Sequence, residues 1–229
     1  MVNDPYTGDV APSGDPQQRR LGCLTMTKVA VDEQMSNNCY LLHCVETDEA
    51  VLIDAAADAA RLREVIGDVR LTSIVTTHQH WDHHRALAEI AADHPQAHLV
   101  AGAPDADAIE EQTGVTISRR VEDGDKVAVG TCDLAVIRLT GHTPGSIALL
   151  LDDPEQVDSP HLWTGDSLFP GGVGNTFGDG DAFRRLIDDI EHKVFDVLPD
   201  STWFYPGHGG DSSLGAERPS LPEWRTRGW

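Results

Sequence analysis

The segment Leu71-Thr-Ser-Ile-Val-Thr-Thr-His78-Gln-His80-Trp-Asp82-His83 places three imidazoles and a carboxylate within its last six residues. Neutral imidazole nitrogens and carboxylate oxygens are the usual ligands of divalent transition-metal ions. In an extended chain His78 and His80 leave the same face, so one strand end can aim both at a single cation. Asp82 and His83 follow in a turn and can address a second cation beside it. The bland alternative is a polar strand end with exposed histidines. Three later residues share the same setting, a glycine-flanked turn directly after an apolar strand: His142 in Thr140-Gly-His-Thr-Pro-Gly-Ser, Asp166 in Thr164-Gly-Asp-Ser-Leu-Phe, and His208 in Tyr205-Pro-Gly-His-Gly. Each alone would be an ordinary turn residue. It is the repetition that singles them out, and seven such donors are about what two metals require while leaving room for water and substrate. The remaining histidines (His43, His84, His94, His98, His161, His192) read as surface or core imidazoles. His84, next to a donor, is expected to face outward on a helix, with a hydrogen bond toward the site as the alternative.

The elements that would hold these donors can be read from apolar periodicity. Leu24 to Val31, Asn38 to Val45 and Ala50 to Asp54 are strand patterns, with a polar loop from Glu33 to Asn38. Asp54 either orients a ligand histidine or caps the alanine-rich helix that follows, Ala55 to Ile66. After the donor cluster, Arg85 to Asp93 is a helix stopped by His94-Pro95. His98 to Gly102 is a strand, and Pro104 to Gln112 is a helix whose acidic first turn suits the dipole. Strands and turns alternate from Val115 to Leu151. His161 to Asp166 is a strand, Phe169 to Asp181 a glycine-rich loop, Asp181 to Val197 an amphipathic helix, and Ser201 to Tyr205 the last strand. The segment from Asp211 onward holds Pro219, Pro222 and a helical turn. Periodicity by itself specifies a mixed α and β chain.

Composition narrows the function classes. The chain has 229 residues, 40% of them apolar, and a formal charge of -21. Such an acidic surface repels phosphates, so nucleic acid is not an expected partner. No apolar run reaches the length of a membrane span, and no early basic-then-apolar segment marks a secretory signal. Cys23, Cys39, Cys44 and Cys132 lack metal-type spacing and read as reduced thiols of a cytoplasmic protein. Residues 1–20, rich in Asp, Pro, Gly and Gln, read as a flexible N-terminal tail, leaving 21–229 as one domain.

The four motifs, in this order, resemble the signature of the metallo-β-lactamase-fold hydrolases. The wording Thr-Gly-Asp-Ser-Leu-Phe and Pro-Gly-His-Gly is similar to the glyoxalase II-like, or hydroxyacylglutathione hydrolase-like, thioesterases and their persulfide dioxygenase relatives. This resemblance implies an α+β fold, an αββα sandwich of two mixed sheets flanked by helices. It implies one metal on His78, His80 and His142, a second on Asp82, His83 and His208, and Asp166 bridging them. The cofactors would be two divalent ions, zinc first, with iron or manganese suiting the donors nearly as well. A hydroxide between them, oriented by Asp82, would attack a small-molecule thioester or ester. The chain departs from the pattern in two places: His84-Arg85-Ala86 replaces the usual Gly-Gly after the ligands, and Gly174-Asn175-Thr176-Phe177 lacks the usual Arg-Phe. No basic cradle for glutathione stands out, and Arg184, Arg185, Arg218, Arg225 and Arg227 are its candidates. Asp166 argues against a zinc β-lactamase, where Cys or Ser occupies that place. The alternatives are a persulfide dioxygenase with one iron on His78, His142 and Asp166, a lactonase on the same dinuclear site, and a non-enzymatic metal-binding module.

Overall fold

The computed structural model describes residues 5–155 and 157–228. Its first half forms a seven-stranded sheet in the sequential order β1 (Gln17–Leu21), β2 (Leu24–Val31), β3 (Asn37–Cys44), β4 (Glu49–Ile53), β5 (Arg70–Thr76), β6 (His98–Gly102) and β7 (Arg119–Val121). The first four strands pair antiparallel. The last three run parallel to β4, because helical crossovers join them. Those crossovers hold α1 (Ala59–Ile66), α2 (Leu87–Asp93) and α3 (Ala103–Thr113). A second, six-stranded sheet is built from β8 (Lys126–Val129), β9 (Cys132–Arg138), β10 (Ile147–Leu151), β11 (His161–Gly165), β14 (Trp203–Pro206) and β15 (Ser212–Ser213). The two-stranded hairpin β12 (Leu168–Phe169) and β13 (Gly172–Val173) projects beside it. Helix α4 (Gly180–Asp189) continues into a wider π-type turn, Ile190–Phe195, and α5 (Leu214–Glu217) and α6 (Leu221–Arg227) close the chain.

Strand alternation builds the layers. On β2, Leu24 and Met26 face the space between the sheets, while Val29 and Val31 face the helices. On β4, Val51 and Ile53 point between the sheets and Ala50 and Leu52 point to α1 and α2. The second sheet sends Val136, Leu149 and Trp163 into the shared core, and Ala148, Leu162 and Phe204 outward against α4 and α6. Each fully buried Leu or Ile in these layers contributes about 1.5–3 kcal/mol. The result is the expected layering of two mixed sheets between helices.

Two readings of the sequence are corrected. Residues 17–20 belong to β1, an edge strand held by backbone pairing rather than by apolar content, so the expected tail is shorter. Tyr6 packs against the shared core, and its hydroxyl donates to Asp211 Oδ2 at 2.8 Å; the first four residues lie outside the described ones. The four cysteines are not all thiols: Cys23 and Cys132 form a disulfide between the start of β2 and the start of β9, while Cys39 and Cys44 are free and buried. The pair is 109 residues apart in sequence, and only face-to-face packing of the sheets brings it together. That pairing removes the ground on which a reducing compartment was expected.

Candidate metal centre

All seven donors gather where strand ends from both sheets meet. Strand β5 ends at Thr76, and the next residues carry His78 and His80; a tight turn at Trp81–His83 then presents Asp82 and His83. His142 follows β9, Asp166 follows β11 and His208 follows β14. Backbone hydrogen bonds stitch the sheets together here, from Ile147 N to Thr77 O at 3.0 Å and from Asn38 N to Gly207 O at 2.7 Å. Gly207 must be glycine for steric reasons, since a Cβ there would lie 2.2 Å from Asp166 Oδ1.

The donor atoms are crowded. His78 Nε2 is 3.1 Å from His80 Nδ1 and 3.3 Å from His142 Nε2. His83 Nε2 is 3.2 Å from His208 Nε2 and 3.4 Å from Asp166 Oδ1. His208 Nε2 lies 3.4 Å from both Asp82 Oδ2 and Asp166 Oδ2. Three overlapping groups could each hold an ion: His78 with His80 and His142, His78 with His83 and Asp166, and Asp82 with His83 and His208.

The far side of each ring decides what the near side offers. His142 Nδ1 meets the carbonyl of Asn175 at 2.7 Å, and His208 Nδ1 meets that of Met35 at 2.8 Å. A carbonyl only accepts, so both Nδ1 atoms carry protons and it is Nε2 of each ring that faces the cluster. Asp54 does the same for two more rings. Its Oδ2 receives His83 Nδ1 at 2.9 Å and the Thr77 hydroxyl at 2.8 Å, and that hydroxyl oxygen faces His78 Nδ1 at 3.1 Å. Asp54 therefore orients ligand-type histidines, and Asp58, not Asp54, caps α1. His78 and His142, which burial keeps neutral, thus aim Nε2 lone pairs at each other across 3.3 Å, while His83 and His208 turn Nε2 toward carboxylate oxygens. Asp166 Oδ1 is buried there with no donor among the described residues closer than His83 Nε2 at 3.4 Å. A positive charge in the middle relieves both features, so the donor set fits divalent cations.

The electrostatics divide the cluster. Burial, reinforced by neighbouring imidazoles, holds His78 well below its ordinary value, and brings His80 down to about 4. Burial also lowers His142. Burial works against protonation at His83 and His208 too, but the carboxylates win: Asp166 and Asp54 raise His83, and Asp166 with Asp82 pushes His208 up to about 9. Asp82 and Asp166 are lowered despite their burial by hydrogen bonds and charge from His208 and His83. Asn37 adds a hydrogen bond to Asp82 Oδ2 at 3.0 Å.

Two residues differ from their sequence reading. His84 does not face outward: helix α2 starts only at Leu87, and His84 is buried in the preceding turn with Nε2 3.2 Å from the carbonyl of Gln79. Asp105, read only as a helix-dipole residue, is fully buried and ties two donor loops together. It accepts from Gln79 N at 2.9 Å, from the Thr143 hydroxyl at 2.6 Å and from Gly145 N at 2.7 Å. Gly145 permits this approach, because a Cβ there would lie 2.6 Å from Asp105 N.

The metallo-β-lactamase superfamily model matches residues 33–208, which contain every donor described above. The chain belongs to that superfamily. Among curated relatives it is 34% identical over 174 residues to the hydroxyacylglutathione hydrolase-like protein of Mus musculus, covering 75% of this chain but 57% of the relative. It is 32% identical over 174 residues to the mitochondrial persulfide dioxygenase ETHE1 of Homo sapiens, covering 74% of this chain and 62% of that protein. The chain thus spans less than two thirds of either relative. The crystal structure of TTHA1623 in a di-iron-bound form superposes with a TM-score of 0.69 at 26% identity, covering 86% of this chain and 98% of that one.

Proposed function

We propose that this protein is a glyoxalase II-like hydrolase that cleaves a hydroxyacyl thioester with two divalent metal ions. The observation that carries the reading is the convergence of imidazole nitrogens from both sheets on one another and on the buried carboxylate of Asp166. His78, His80 and His142 would hold one ion, Asp82, His83 and His208 the other, and Asp166 would touch both. Zinc suits this nitrogen and oxygen set, and iron suits it nearly as well, as in the di-iron relative. Such ions would supply Lewis acidity, lowering the pKa of a water from about 15.7 toward 7 and polarising a carbonyl. Asp82, fixed by Asn37, would orient the attacking water. Asp54 and the carbonyls of Asn175 and Met35 would keep the rings in the ligand tautomer. No helix among the described residues is long and apolar enough to cross a membrane, and a 690 Å³ cleft opens beside His142 and Asp166, which suits a small-molecule substrate.

The test is elemental analysis of the purified protein combined with a screen of hydroxyacyl thioesters. About two metals per chain and turnover of at least one thioester are expected. A fully loaded protein inert to thioesters would overturn the reading. The likeness to a persulfide dioxygenase supports a second reading, a single iron on His78, His142 and Asp166. One iron per chain, with oxygen uptake on a persulfide, would select it. The tight grouping of Asp82, His83 and His208 favours the dinuclear reading.

A further inference from the structure

The cleft beside the donor cluster runs from His142 and Asp166 along the β12–β13 hairpin (Phe169, Gly172, Val173) to Arg227 and Gly228 at the end of α6. Away from His142, Asp166 and Asn175, its walls are apolar side chains and glycine backbone. Arg227 is the one basic side chain lining it among the described residues. Three of the other arginines near this end of the chain are committed elsewhere, and Arg185 does not line the cleft. Arg225 is held by Asp188 at 2.6 Å and by Glu191, Arg218 by Asp200 and by the carbonyls of Phe195 and Leu198, and Arg184 by Asp181. Among the described residues Arg227 keeps spare donors: Nη2 donates to the carbonyl of Gly171 at 2.9 Å, and the one carboxylate paired with it, that of Glu223, lies 3.7 Å from Nη1. At that distance, with Arg227 about half exposed and Glu223 more so, the Glu223 pairing is weak and a ligand can displace it.

In a chain of net charge -21, an uncommitted guanidinium at the end of an apolar cleft is a discriminating feature. We propose that the cleft holds the arm of the substrate remote from the scissile bond, and that this arm is an uncharged chain ending in a single carboxylate received by Arg227. A planar guanidinium matches a carboxylate in bidentate fashion. A thiol arm bearing several charges, as in glutathione, would leave groups unpaired in this cleft. This rests on the hydrolase reading for its reaction, though not for the binding itself.

The probes are ω-mercapto carboxylic acids of graded chain length and their primary amides, bound to the metal-loaded protein and measured by calorimetry. The corresponding acyl thioesters are assayed in parallel. The acid should be preferred over the amide by about tenfold, both in affinity and in kcat/KM. Arg227→Gln should bring that ratio to about one with metal content retained, and Arg227→Lys should keep part of it. In the wild type the preference should collapse at about 0.5 M salt, a readout that does not depend on how any variant folds. An acid-to-amide ratio near one in the wild type, or an unchanged ratio in Arg227→Gln, would overturn the assignment. Preferential acid binding without thioester turnover would uphold the cleft assignment and remove only the reaction.

Discussion

Asp105→Asn tests whether the donor loops are held by one buried carboxylate. The native group is acceptor-only, and three donors converge on it: two on Oδ2 from Gln79 and Thr143, one on Oδ1 from Gly145. Burial raises its carboxyl above the usual range while these donors pull the other way. An asparagine keeps the shape but must turn its NH2 toward at least one N–H. With the amide oxygen left at Oδ2, the nitrogen lands against Gly145 N, where the contact is now 2.7 Å. Losing one charge-assisted hydrogen bond and stranding a buried donor together cost about 3 kcal/mol. For a chain of this size that is a fall in Tm of roughly 6–12 °C. The loops affected carry His78, His80 and His142, so metal affinity should drop about 10–100-fold. Thermal unfolding of the metal-loaded protein, with metal titration monitored in parallel, measures both. A variant that melts within about 2 °C of the wild type and binds metal equally well would refute the argument.

Two further outcomes follow from the same geometry. Asp166→Ala removes a carboxylate that reaches His83, His142 and His208 at 3.4–3.8 Å, and should lower the metal-to-protein ratio on elemental analysis together with activity; an unchanged ratio would sink the ligand assignment. His161 lies away from the metal cluster and accepts a hydrogen bond from Tyr205, whose hydroxyl receives Arg19. Burial, then the charge of Arg19, drops His161 to about 4. An unfolded histidine takes up its proton near pH 6.5, so the folded state loses stability as pH falls from about 6.5 to 4, by up to about 3 kcal/mol. Denaturation midpoints across that window should fall less in His161→Gln than in the wild type, and parallel curves would contradict the assignment.

The sequence disclosed what is local and withheld what is not. Strand β2 was legible because Leu24 to Val31 is a β-branched and apolar run interrupted only by Lys28, and the layered fold followed from the order of the motifs. Strand β1 was hidden because Gln17-Gln-Arg-Arg has no apolar stripe and is held by backbone pairing. The convergence of seven donors was legible because each sits in a glycine-flanked turn after an apolar strand. Their supports were not, since support is a matter of distant partners. Asp105 meets residues 26 to 40 positions away, and nothing in the first turn of a helix announces that. Asp54 was divided between cap and orienting group until Asp58 proved to be the cap. His84 was misplaced because a good helix-forming segment begins at Arg85, whereas the turn at Trp81–His83 delays the helix to Leu87.

The supports also explain why the donors can be so crowded in a folded chain. His78, His80, Asp82 and His83 arrive from the end of one sheet, and His142, Asp166 and His208 from the end of the other. No single element fixes the cluster, so its geometry depends on anchors behind each ring. At His208 the anchor is a buried ion pair. Lys28 Nζ, with no exposed side-chain surface, donates to Gly209 O at 2.9 Å and to Asp211 Oδ1 at 2.6 Å, while Tyr6 closes over Asp211 from the N-terminal segment. Such a pair adds little net stability, because the desolvation of both charges offsets their attraction. What it supplies is position: any shift of the loop after His208 would strand a buried charge. The cluster is therefore built like a clamp whose jaws belong to different sheets. The crowding of its polar groups is borne by packing and buried hydrogen bonds throughout the fold, and a cation between the jaws would tie the two sheets together.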